Sequence, residues 1–141
     1  MGVIGICAPD DSPLLSLLGL ILPAVAMGNT VVTVPSQTAP LVATDLYQVF
    51  ETSDIPAGVI NIVTGNRDEL AKVMAEHMQV DSIWYHGSEA GCAIVEKASV
   101  ANLKRTWVNQ GQHWDWFKTG QERQFLQQAT EVKNIWIPYG D

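Results

Sequence analysis

The chain has 141 residues, 47% of them apolar and 16% charged, with 15 acidic side chains against 8 basic ones and a formal charge of -7. A folded chain of this length hides roughly two thirds of the surface its unfolded form exposes, which supports one domain with a real core and excludes a disordered chain. The acidity excludes a nucleic-acid or anionic-membrane surface, because either needs a cationic patch to gain from counterion release.

Two cysteines, Cys7 and Cys92, show no CxxC or Cys/His ligand spacing, so they read as buried thiols of a protein in a reducing compartment, and the chain reads as cytoplasmic. The longest apolar stretch, Leu14 to Met27, is broken by Ser16, Gly19 and Pro23 and falls short of the ~20 residues a bilayer crossing requires. Asp10 and Asp11 ahead of it argue against a secretory leader.

In chain order, Val3 to Ala8 is a short, apolar, β-branched run that suits a strand covered on both faces and ended by Pro9. Pro13 to Met27 predicts a buried helix with Ser12 as N-cap, Pro13 at its first position, a kink at Pro23 and Gly28-Asn29 as the stop. Thr30 to Val34 is a second strand. Pro40 to Ser53 is a second helix, with Leu41, Asp45, Leu46, Val49 and Phe50 on one face. Strands at Val59 to Val63, Ser82 to Tyr85 and Arg105 to Val108 alternate with helices at Arg67 to Met78 and Ser88 to Ala98. The alternation fails after Val108: Gln110 to Gly120 is polar and aromatic, Gln121 to Ala129 predicts a short helix, and Val132 to Ile137 a last strand.

Serial strand-helix units of this kind are accommodated by an α/β fold with a doubly wound parallel sheet. Such sheets bind ligands beyond the carboxyl ends of their strands, so the loops after Ala8, Val34, Val63 and Tyr85 are where chemistry is sought.

Ala26-Met27-Gly28-Asn29-Thr30-Val31-Val32 with Pro35-Ser36, Pro56 to Gly65, Gly87-Ser88 and Asn102-Leu103-Lys104-Arg105 follow one another in an order and spacing that resemble the nucleotide-binding half of the aldehyde dehydrogenase superfamily. The resemblance covers Gly2 to about His113, and Thr130-Glu131-Val132-Lys133 resembles the superfamily's carboxyl-terminal oligomerisation strand. Trp84-Tyr85 before Gly87-Ser88, and the closing Trp136 to Asp141, are most similar to the degenerate second unit of the family 16 aldehyde dehydrogenases.

The resemblance implies a thiolate nucleophile, an amide at the oxyanion, a carboxylate base and a bound nicotinamide. Asp11 stands at the oxyanion asparagine's position and Asn109 at that of the base; Gln110-Gly111-Gln112-His113 replaces a leucine, two glycines and a lysine. The nucleophilic cysteine should follow that segment, and the chain runs instead to its last strand; Cys7, in a strand, and Cys92, in a helix, do not substitute under this alignment. No catalytic residue is therefore assigned. The cofactor-binding positions the resemblance implies are Pro35, Ser36, Gln37, Gly65, Gly87 and Ser88. Val34 and Gln37 replace the lysine and glutamate that hold the adenosine ribose, and Asn66-Arg67-Asp68-Glu69 replaces small residues and brings carboxylates toward a pyrophosphate. The expectation is of no cofactor, with weak NAD or NADP binding as the alternative.

Other features have plainer readings. His113 to Phe117 reads as an aromatic loop sealing the sheet end left open by the absent domain, Asp10-Asp11 as helix N-terminus stabilisation rather than a metal site, and His77 and His86 as solvated or capping residues. The expected organisation is a nucleotide-binding-like domain over 1–113, a connector with a short helix over 114–129, and an oligomerisation strand over 130–141. The expected function is that of a non-catalytic module with an assembly role, a unit or fragment of a larger family 16 type chain. In this role Thr130 to Pro138 pairs by strand addition with another aldehyde-dehydrogenase-like domain. The alternative is an NAD(P)-binding component of an aldehyde oxidoreductase whose cysteine lies in another unit.

Overall fold

The computed structural model describes residues 2–118 and 122–140. Five strands, β1 (Val3–Cys7), β2 (Thr30–Val34), β3 (Ile60–Ile62), β4 (Ser82–Tyr85) and β5 (Arg105–Val108), form one parallel sheet in the order β3-β2-β1-β4-β5. The connecting helices are α1 (Pro13–Ala26), α2 (Leu41–Thr52), α3 (Arg67–Glu76) and α4 (Glu89–Ser99), and α5 (Arg123–Gln128) follows β5. Strand alternation sends Ile4, Ile6, Val31 and Trp84 to the face packed by α1 and α2, and Cys7, Val34, Ile83 and Tyr85 to the face packed by α3 and α4. The strand order therefore reverses beside β1, which opens a crevice between the carboxyl ends of β1 and β4.

α1 runs unbroken through Pro23. It stops where Gly28 adopts φ +82, a left-handed conformation that costs glycine little, and its amide bonds Val25 O at 2.9 Å. Asn29 then ties the fold together: its carboxamide donates to Ala24 O and Ala129 O, both at 2.9 Å, and accepts from Gly2 N at 3.0 Å. Ser12 does not cap α1 with its side chain. It sits in left-handed backbone at φ 48, and only its carbonyl serves the helix, accepting from Ser16 N at 2.9 Å.

α2 also differs from its expected face. Ala43 and Phe50 are buried, with Leu46 packed against the core, whereas Leu41 and Val49 are exposed, so the buried stripe lies one step round the helix from the one the larger apolar residues suggested.

The expected last strand does not form. Residues 131–140 carry no strand or helix, and Val132, Ile135, Trp136, Ile137 and Tyr139 are 77% to 100% exposed. A strand exists only as a hydrogen-bonded pair, and among the described residues none offers residues 131–140 a backbone hydrogen bond. Asp141, which closes the Trp136 motif, lies outside the described residues, as do Thr119, Gly120 and Gln121 of the predicted connector and helix. Among the described residues no helix is long and apolar enough to cross a membrane.

Candidate functional site

Two cavities open at the carboxyl end of the sheet. One, of about 370 Å³, lies between the β2 and β3 loops and is lined by Pro35, Ser36, Gln37, Pro40, Thr64, Gly65 and Asn66. The other, of about 240 Å³, occupies the crevice itself, among Asp10, Asp11, Arg67, Gly87, Ser88, Asn109 and His113. The structure thus gathers Pro35, Ser36, Gln37 and Gly65 at one cavity and Gly87 and Ser88 at the other.

A polar tie separates them. The Asp10 carboxylate accepts from the Ser36 hydroxyl and the Gln37 amide, both at 2.8 Å, and pairs with the Arg67 guanidinium at 2.9 Å. Arg67 also donates to Ala8 O at 2.9 Å, and its amide, at the start of α3, donates to the Gln37 side-chain oxygen at 2.6 Å. Burial alone would raise the Asp10 carboxyl, but the Ser36 hydroxyl, the Arg67 charge and the Gln37 amide outweigh it and hold the group below the ordinary aspartate range. Asp10 therefore bridges three loops instead of stabilising the start of α1. Its neighbour Asp11 pairs with His113 across the mouth of the crevice.

The carboxylates of the β3 loop go elsewhere. Asn66 caps α3, its side chain accepting from Asp68 N at 3.0 Å and Glu69 N at 3.2 Å, and the Asp68 carboxylate accepts the Tyr85 hydroxyl at 2.5 Å. Burial, reinforced by that hydrogen bond, pushes the Tyr85 phenol up to about 12. The tyrosine ring also explains two glycines: a Cβ at Gly87 would stand 2.6 Å from its hydroxyl, and one at Gly91 would overlap it.

Asn109 organises the other wall. Its oxygen accepts from Gly87 N at 3.1 Å and lies 3.6 Å from the Cys92 sulfur, while its amino group donates to Gln112 O at 2.8 Å. Gly111, at φ +70, lies over the amino end of α4, where a Cβ would come within 3.3 Å of Glu89 N. Ser88 spends its hydroxyl capping α4 through Gly91 N at 3.1 Å. Both cysteines are free and fully buried, so neither sulfur is accessible, and burial also pushes the Cys7 thiol up.

His86 lies deepest and departs furthest from its expected solvated or capping role: it is 0% exposed. Trp107, Trp114 and Trp116 surround its ring at centroid distances of 5.2, 4.6 and 5.7 Å, with Trp84 and Phe125 behind them. The aromatic loop thus packs over His86 at the carboxyl end of β4, on the β4–β5 side of the α1 face, where Trp116 is 5% exposed. His77 keeps its capping role, accepting Gln79 N at 3.1 Å.

The sequence model described as the aldehyde dehydrogenase family matches residues 1–114. Human aldehyde dehydrogenase 1A1 is 37% identical over 112 residues, 79% of this chain and 22% of that protein. The NADP/NAD-dependent aldehyde dehydrogenase PuuC of Escherichia coli is 35% identical over 112 residues, covering 79% of this chain and 23% of its own length. Among solved structures, a variant of aldehyde dehydrogenase C from Pseudomonas syringae, complexed with NAD+ and octanal, superposes with a TM-score of 0.73 at 34% identity, over 76% of this chain and 22% of that one. The chain spans less than a quarter of the length of these relatives. Sheet order, crevice and sequence agree: this chain belongs to the aldehyde dehydrogenase family.

Proposed function

We propose that this chain is a catalytically silent aldehyde-dehydrogenase-type module with an assembly role, related to the degenerate second unit of the family 16 enzymes and working in the cytoplasm. The observation that carries this reading is the tie of Asp10, Ser36, Gln37 and Arg67. It joins the ends of β1 and β2 to the start of α3 and engages Ser36 and Gln37, two of the six positions that the family resemblance assigns to a dinucleotide. The residues present do not fit NAD or NADP. The Arg67 guanidinium lines the crevice and is held there by Asp10 and Ala8 O, the Gly87 amide is taken by Asn109, and Gly111 covers the amino end of α4 that a pyrophosphate would need. The positions of the oxyanion amide and the general base serve structure in the same way, Asp11 pairing with His113 and Asn109 bonding its own loop.

The assembly role rests on residues 131–140, whose exposed Val132, Ile135, Trp136 and Ile137 suit strand addition to another aldehyde-dehydrogenase-like domain. Two experiments test the reading. Purified protein mixed with aldehydes and NAD or NADP should form no reduced nucleotide; turnover abolished by Cys92→Ser would refute silence. Deleting residues 131–141 should abolish self-association or partner capture, and unchanged assembly would refute the role of the tail.

A further inference from the structure

We propose that His86 is an acid-operated release for the aromatic loop of residues 113–118, which lies closed over it at neutral pH. The geometry is that of a sealed box. The ring is wholly buried, neither of its nitrogens has a hydrogen-bond partner among the described residues, and Trp107, Trp114 and Trp116 enclose it. Two of those three rings, Trp114 and Trp116, belong to the loop itself, so opening the loop is what admits water to the imidazole.

Among the described residues no counter-ion waits for a protonated ring. β1, β4 and α1 bring no carboxylate or cation to this face, since Pro13 to Ala26 contains no charged residue. Arg105 on β5 is engaged with Thr130 O and Gln128. In the loop, His113 pairs with Asp11 and Lys118 with Asp115 at 3.5 Å; beside α5, Glu122 accepts from Gln124, and Arg123 is exposed. None of these groups bonds the His86 ring. Tryptophan faces attract a cation, but far more weakly than lost hydration penalises one, so burial lowers the His86 pKa from 6.5 to about 3.

The loop equilibrium inherits that difference. Released, the ring titrates like a free imidazole; docked, it stays neutral until much lower pH, so acidification from about pH 7.5 to about pH 4.5 favours release on the order of a hundredfold. Release bares Trp84 and Trp107 and extends the apolar side of α1, where Leu14 and Leu22 are already exposed.

The test follows near-ultraviolet circular dichroism and acrylamide quenching of tryptophan across that pH range on the full chain, with far-ultraviolet dichroism reporting the sheet and helices. The expected result is loss of the aromatic signal and increased quenching while the far-ultraviolet signal persists, and loss of this transition in His86→Phe. His86→Gln, equally unable to take a proton here, replaces it if the larger ring prevents folding. Simultaneous loss of both signals in the parent, or the same transition at the same pH in the variant, would overturn the proposal.

Discussion

Two regions at the carboxyl end of the parallel β1–β4 pair bury polar groups in opposite ways. At the β1–β2–α3 junction a carboxylate and a guanidinium are half-buried and supplied with partners, so charge is retained and three loops are held. Beyond β4, one residue past the sheet, an imidazole is buried completely and supplied with none, so the ring must stay neutral to stay inside. The comparison teaches that acid acts on the two regions in different windows. His86 has its folded pKa below its unfolded one, so its neutral form contributes full stability above about pH 6.5, and this is lost as pH falls from there toward about 3. Asp10 is also lowered, but from 3.8, so the polar tie weakens only below the range in which the aromatic box has already begun to open.

Variants should sharpen this contrast. Trp84→Ala, at a fully buried ring facing Trp107, should cost about 4 kcal/mol in denaturant unfolding through the cavity it leaves; a loss under about 1 kcal/mol would show that the aromatic side is loosely packed. Acidification should remove on the order of 4 kcal/mol between about pH 6.5 and about pH 3 through His86, and His86→Phe should flatten that slope in urea titrations at several pH values. Gly91→Ala should cost about 2 kcal/mol, because its methyl group meets the Tyr85 hydroxyl, and Tyr85→Phe in the same chain should restore part of the loss. Arg67→Ala should cost about 1–2 kcal/mol after allowance for the solvent reaching Asp10, with Asp10→Asn in the same chain costing little more. The smallest effect belongs to the tail: removing residues 131–141 should leave the thermal midpoint of the monomer unchanged, since that segment's apolar side chains are in water already.

Much of the fold was legible because its signals are local. Buried-type runs such as Thr30 to Val34, Pro13 at a helix start and the Gly28-Asn29 stop each specify their element through backbone chemistry, and all three stand where expected. The six loop positions that the resemblance implies as one cofactor set lie at two separate cavities. Side-chain partners across the fold were not legible. Asp10 next to Asp11 looks like a charged helix start until Arg67, fifty-seven residues on, is brought beside it. His86 looks polar in sequence and becomes buried only because Trp114 and Trp116 fold back from beyond β5. Asn66 is the α3 cap, and its signal is in the sequence although the reading passed over it: an asparagine just ahead of a first helical turn that carries Asp68 and Glu69.

The proposed function rests on this crevice being closed to a dinucleotide by the chain's own groups. Titrating NAD and NADP into the full chain to millimolar concentration by calorimetry tests it most directly. The account predicts no saturable heat and no protection of the thermal midpoint; saturation in the micromolar range would contradict it.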